Sequence, residues 1–195
     1  MNKEVKIMNI KKLRNSLYHK TPLKILSFLS MHPGVVFSAQ EISAQTRSSK
    51  GATNQTLRLF LASDILSREQ KGNLFLYRLN LDSFVLKQFK IFENVLDLQK
   101  LIQELRPYCS QIILFGSCAD GSNAKESDVD LFIKSEYKSE VSKLINNHED
   151  LDFKISPVIQ DTLESIATKK TDRVFFEQVK KGITLWEGKP THEEV

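Results

Sequence analysis

The chain has 195 residues, 41% of them apolar and 27% charged, in keeping with one medium or two small soluble domains. No apolar run is long enough for a bilayer and the basic N-terminus leads into no apolar stretch, so neither a membrane span nor a signal peptide is expected and a cytoplasmic setting is; two cysteines exclude a disulfide framework, and the scattered histidines offer no zinc-ligand spacing. The net charge of +4 divides unevenly: residues 1–80 hold 13 Lys/Arg against 4 Asp/Glu, or +9, and residues 81–195 hold 15 against 20, or −5, which suggests a polyanion as partner for the first part and metal ions for the second.

In chain order, Leu23, Leu26 and Leu29, with Ile25 and Phe28, form a helix-period stripe that Pro33-Gly34 ends. Residues 35–37 are a short extended link. Ser38-Ala-Gln-Glu41 has the spacing of a capping box and opens a short helix. Ser48 or Ser49 caps the next helix, which turns Leu57, Phe60 and Leu61 inward. On its other side Lys50, Asn54 and Arg58 share a face at intervals of four, with Ser49 and Gln55 beside them. A hairpin follows, turning at Lys71-Gly72-Asn73. Helix, short helix, helix, hairpin resembles the winged helix-turn-helix family over roughly sixty residues. That resemblance implies a second helix entering the major groove of DNA, with Ser49, Lys50, Asn54, Gln55 and Arg58 toward the duplex and Lys71 at a backbone phosphate. Solvated surface charge and protein docking are the other readings of the same face.

Residues 83–106 read as one long helix. Ile91, Val95, Leu98, Ile102 and Leu105 make one apolar stripe, and Val85, Phe89, Phe92 and Leu96 a second. The stripes either pack on the chain's own domains or form the heptad seam of a homodimer.

From residue 107 strands and helices alternate. Residues 112–115 are a buried strand, Gly116-Ser117 a tight turn, and Ser127-Asp128-Val129-Asp130-Leu131 opens a second strand. Alternation puts Asp128 and Asp130 on one face, where two carboxylates can hold a hard divalent cation, Mg2+ or Mn2+. Gly116 lets the backbone approach a phosphate closely, and the Ser117 hydroxyl and amide can bind a triphosphate. Cys118, inside this stretch, reads as packing; Lys134 and Lys154 read as solvated charge, with neutralisation of a phosphate as the other reading.

Gly116, Ser117, Ala119, Gly121, Ser127, Asp128, Val129, Asp130 and Leu131 together match G-S-x-A-x-G followed by S-D-h-D-L. The pattern resembles the DNA polymerase beta-like nucleotidyltransferases, and most closely their minimal prokaryotic branch. The resemblance covers about residues 107–189. It implies a small domain with a mixed sheet, a nucleotide substrate, and a third carboxylate on a neighbouring strand: Asp152, with Asp150 and Asp161 as alternatives. Asp120 departs from the pattern, in which a basic residue commonly stands there. A carboxylate at that place repels a triphosphate unless it points away.

The expected architecture is α/β (α+β): a winged helix-turn-helix at 1–82, a connecting helix at 83–106 and a nucleotidyltransferase domain at 107–195. The expected reaction is transfer of a nucleoside monophosphate, AMP from ATP, to an acceptor hydroxyl, with Asp128, Asp130 and Asp152 catalytic. Two alternatives stand beside it. One is a DNA-binding regulator whose second domain senses a nucleotide or serves as scaffold. The other, implied by the minimal branch, is an antitoxin that modifies a helical HEPN protein partner.

Overall fold

The computed structural model describes residues 21–124, 126–148 and 153–191. The chain divides into two compact units, with the boundary between Lys90 and Ile91. No helix among the described residues is long and apolar enough to cross a membrane.

The first unit contains α1 (Thr21–Ser30), β1 (Phe37–Ser38), α2 (Ala39–Gln45), α3 (Lys50–Ala62), β2 (Leu66–Lys71) and β3 (Leu74–Leu79), followed by the first turns of α4 (Phe84–Leu105). The capping box at the head of α2 forms as its spacing predicts. Ser38 Oγ accepts the Glu41 amide at 3.3 Å, and Glu41 Oε2 accepts the Ser38 amide at 2.7 Å. Ser49 caps α3, accepting the Ala52 amide at 3.3 Å. Residues 35–37 were expected to be a link, but Phe37 and Ser38 pair with Tyr77 and Leu76, so the hairpin gains a third strand in the order β1-β3-β2. Ile25, Leu29, Ile42, Leu57, Leu79 and Leu86 close the core beneath it, each burial contributing about 1.5–3 kcal/mol.

The second unit runs from the later turns of α4 through a 3-10 turn (Arg106–Tyr108), β4 (Gln111–Phe115), α5 (Ser117–Asp120), β5 (Val129–Lys134), α6 (Lys138–Asn146), β6 (Ile155–Gln160), α7 (Thr162–Thr171) and α8 (Arg173–Lys180) to β7 (Ile183–Glu187). The sheet order is β6-β5-β4-β7. β4 is antiparallel to both β5 and β7, while β5 and β6 are parallel, so the sheet is mixed. Parallel pairing demands a crossover, which α6 provides. Pro157 cannot donate to a ladder, and β6 is an edge strand.

Each face of this sheet is covered. Leu114, Leu131 and Ile133 lie in one cluster with Leu98, Leu101, Ile102 and Leu105 of α4 and Val141 and Ile145 of α6. Ile113, Phe115 and Phe132 lie on the other face with Val179 and Phe175 of α8. Burial on both sides is why residues 112–115 read as a continuous apolar run rather than an alternating one. The first stripe expected on α4 is buried at Leu98, Ile102 and Leu105. The second departs from expectation. Leu86 and Leu96 are buried, but Val85 and Phe92 are exposed, because the inward face of the early turns passes through Leu86 instead.

Candidate active site

The chain leaves β4 at Phe115 and reverses at Gly116, whose φ of 67° and ψ of −154° lie in a region open essentially to glycine alone. Conformation is only half of the requirement. A Cβ built on Gly116 would overlap Oδ2 of Asp130 and sit 3.3 Å from its Cγ. Asp130 is the register partner of Phe115 across the antiparallel β4–β5 pair, so its side chain rises directly beside the turn. Its carboxylate therefore takes up the space that the missing side chain leaves.

Asp128 immediately precedes β5. Its carbonyl oxygen accepts the Cys118 thiol at 3.6 Å, and the Val129 amide donates to the Lys154 carbonyl at 2.8 Å, which anchors the start of the strand on both sides. Burial raises the carboxyl group of Asp130 above its ordinary range, and the charge on Asp128 raises it further. Ser117, the first residue of α5, lies in the same bend, and its carbonyl accepts the amides of Ser122 and Asn123.

The parallel register places Ser156 beside Asp130, and Lys154 donates to Asp128 Oδ2 at 2.9 Å. The sequence offered solvation or phosphate neutralisation for Lys154, and the structure gives it a carboxylate partner. Its side chain is 77% exposed, and that of Asp128 41%, so the pair is worth under about 1 kcal/mol and can yield to another cation. Lys134 stays unassigned to the site, at the far end of β5 opposite Gln111.

Asp120 is the last residue of α5. Its Oδ1 accepts the Ser122 amide at 2.8 Å and closes its own turn. Asp161, an alternative third carboxylate, lies at the other end of β6. There it caps α7 and pairs with Lys138 at 2.8 Å, so it is withdrawn from the pair. Asp152 and Asp150 lie outside the described residues. Among the described residues, no three His, Cys, Asp or Glu side chains converge to hold a metal.

In the first unit, Lys50, Asn54, Gln55 and Arg58 are all exposed on α3, opposite the buried Thr53, Leu57 and Phe60. The Ser49 hydroxyl is occupied as the cap. Lys71 is exposed at the end of β2, where the hairpin turns through Gly72.

Two substitutions probe the bend. Gly116→Ala is expected to cost about 1–3 kcal/mol from its backbone conformation alone; a denaturant midpoint equal to wild type would show that the turn relaxes freely. The ionised form of Asp130 is disfavoured by folding. That penalty is absent below the ordinary carboxylate range and grows as pH rises through the raised value. Asp130→Asn is therefore expected to melt higher than wild type at neutral pH, with the gap closing in acid. A gap that stays constant with pH would contradict the electrostatic account.

Residues 96–191 match the family described as Polymerase beta, Nucleotidyltransferase. No curated protein matches the chain. Among solved structures, that of TrmBL2, titled as an archaeal chromatin protein with a novel mode of DNA binding, is similar at 13% identity over 86% of this chain and 75% of that one, with a TM-score of 0.26. The stretch that holds the glycine bend and the strand-end acids, residues 96–191, is thus similar to a polymerase beta nucleotidyltransferase domain.

Proposed function

We propose that this protein transfers a nucleoside monophosphate from a nucleoside triphosphate, ATP being the expected donor, to an acceptor hydroxyl. The observation that carries the proposal is the carboxylate pair at the head of β5, with Asp130 lodged against the side-chain-free bend at Gly116.

The residues fit a hard divalent cation, Mg2+ or Mn2+. The donor set is all oxygen, and the burial and neighbouring Asp128 charge that raise Asp130 are a deficit that a cation would relieve. Asp128 and Asp130 would hold it, with Asp152 as the proposed third ligand. Such an ion supplies charge neutralisation and polarisation at the phosphoryl oxygens. The chain's own part is positioning. Gly116 leaves room for Asp130 beside the bend, and the Ser117 hydroxyl and amide orient the polyphosphate. Asp152 accepts the proton of the attacking hydroxyl. A bond forms between the acceptor oxygen and the α-phosphorus, the bond from that phosphorus to the bridging oxygen breaks, and pyrophosphate leaves. Nothing covalent is asked of the protein, so rate comes from alignment and electrostatics.

The first unit adds a second, separate reading as a winged helix-turn-helix that binds DNA. The exposed face of α3 supports it, with Lys50, Asn54, Gln55 and Arg58 outward beside an antiparallel hairpin ending at Lys71, and so does the charge of +9 in residues 1–80.

With labelled ATP and Mg2+, Asp128→Ala combined with Asp130→Ala is expected to lower label transfer at least a hundredfold, the order of loss seen when a single transition-state contact is removed. Equal incorporation by variant and wild type would remove the catalytic reading. Lys50→Ala with Arg58→Ala is expected to weaken duplex DNA binding and reduce the slope of log affinity against log salt by about 2. An unchanged slope would reassign α3 to another partner.

A further inference from the structure

On α4, Asn94 stands one turn before Leu98 and two before Leu101, both fully buried on the face that seals the sheet. Burial there calls for an apolar side chain, and a half-buried amide is costly unless its polar atoms are bonded. Neither apolar stripe read from the sequence includes this residue. Its Nδ2 donates to the Cys118 carbonyl at 2.9 Å and to Asn123 Oδ1 at 3.3 Å, and its Oδ1 accepts Asn123 Nδ2 at 3.3 Å. The two side-chain amides thus pair reciprocally.

The shortness of α5 explains what Asn94 answers. A helix of four residues brings few amides to its own carbonyls. The amide four residues beyond Cys118, that of Ser122, goes to the Ser117 carbonyl and to Asp120 Oδ1 instead. Asn94 supplies a donor to Cys118 from another element. Asn123 is also held within the loop, its backbone amide donating to the Ser117 carbonyl at 3.2 Å. Residues 117–123 are therefore tied to α4 near both ends, at Cys118 and at Asn123. A bond to Cys118 alone would satisfy a carbonyl; the second tie, to Asn123, makes the arrangement a clamp. The strand-end acids depend on other contacts. Asp130 is set by its pairing with Phe115, and the start of β5 by the Val129 amide on the Lys154 carbonyl at 2.8 Å. The Cys118 thiol, a weak donor, links the loop to the Asp128 carbonyl at 3.6 Å.

We propose that Asn94 is a positioning residue for the nucleoside triphosphate: it clamps the loop that presents Ser117, while β5 holds the cation-binding acids independently. What Ser117 binds rests on the transferase reading above. Release of the clamp frees the Ser117 hydroxyl and amide to drift from the polyphosphate and leaves the acids in place. Ser117 grips the phosphates in the ground state and the transition state alike, so the loss falls on KM and not on kcat.

Two affinities of the full chain test this: that for a methylanthraniloyl-labelled ATP with Mg2+, read by fluorescence, and that for Mn2+ alone, read by electron paramagnetic resonance. Asn94→Leu keeps the side-chain size and removes the amide. Ser135→Ala is the control, deleting a bond of the same kind, Ser135 Oγ to the Tyr108 carbonyl at 2.6 Å, just past the far end of β5. Asn94→Leu is expected to weaken nucleotide binding and raise KM for ATP about tenfold, with kcat and Mn2+ affinity changed less than about twofold. Ser135→Ala is expected to move none of these beyond about twofold. Asn123→Ala acts in the same direction by about threefold, and adding it to Asn94→Leu brings no further loss, since both remove one clamp. Asn123→Ala also carries the test should Asn94→Leu not fold. Unchanged nucleotide affinity in the folded variant, an equal loss in Ser135→Ala, or Mn2+ affinity falling in step with the nucleotide overturns the clamp, as does a wild type that binds no nucleotide. Transfer assays separate the two readings. Nucleotide binding weakened by Asn94→Leu beside a wild type without transfer supports the clamp and removes the transferase. Unchanged affinity beside intact transfer sinks the clamp and leaves the transferase standing.

Discussion

The geometry of the second unit turns on one exclusion of volume. Asp130 can stand at the head of β5 only because residue 116 has no side chain, and residue 116 can take its conformation only because it is glycine. Both conditions act on the same atom position. The antiparallel pairing of Phe115 with Asp130 brings the turn and the acid together, and the β4–β5 register in turn depends on the apolar residues along those strands being buried on their proper faces. A slip of one residue would send Asp130 into the cluster with Leu98 and Leu105 and bring Leu131 out beside the bend.

The electrostatics of that corner follow from the packing. A partly buried acid beside another acid is costly in its charged form, and among the described residues no buried base neutralises it. Lys154 answers Asp128 from an exposed position, at a strength that solvent and other cations can compete with. Such a site is less stable than an apolar one would be, in the way that sites arranged for chemistry often are. Asp120 shows the opposite case, an acid whose demand is met locally by the amide of Ser122 and which adds no unanswered charge.

The two sheet faces divide the labour. One is sealed by α4 and α6 with aliphatic side chains. The other is capped by the aromatic side chains of α8, and α8 also carries basic residues on its outer side. A unit that is acidic in sum can therefore present a locally basic surface, which a net-charge argument applied to the whole half does not detect.

Local chemistry in the sequence was enough to determine the capping box at Ser38, the cap at Ser49, the strand at residues 112–115, the bend at Gly116 and the length of α4. In each case the cause lies within a few residues: a hydroxyl three positions before its amide, an apolar run, a residue free of Cβ. Tertiary structure alone decided what stands beside what. The parallel pairing of β5 with β6 sets Lys154 beside Asp128 and leaves Asp161 at the wrong end of its strand. The pairing of β1 with β3 turns an expected link into a strand, and the packing of Phe175 on Phe115 seats α8 on the sheet face opposite α4 and α6. These contacts join residues far apart in the chain, and their register is set by packing across the sheet, which no window of neighbouring residues contains.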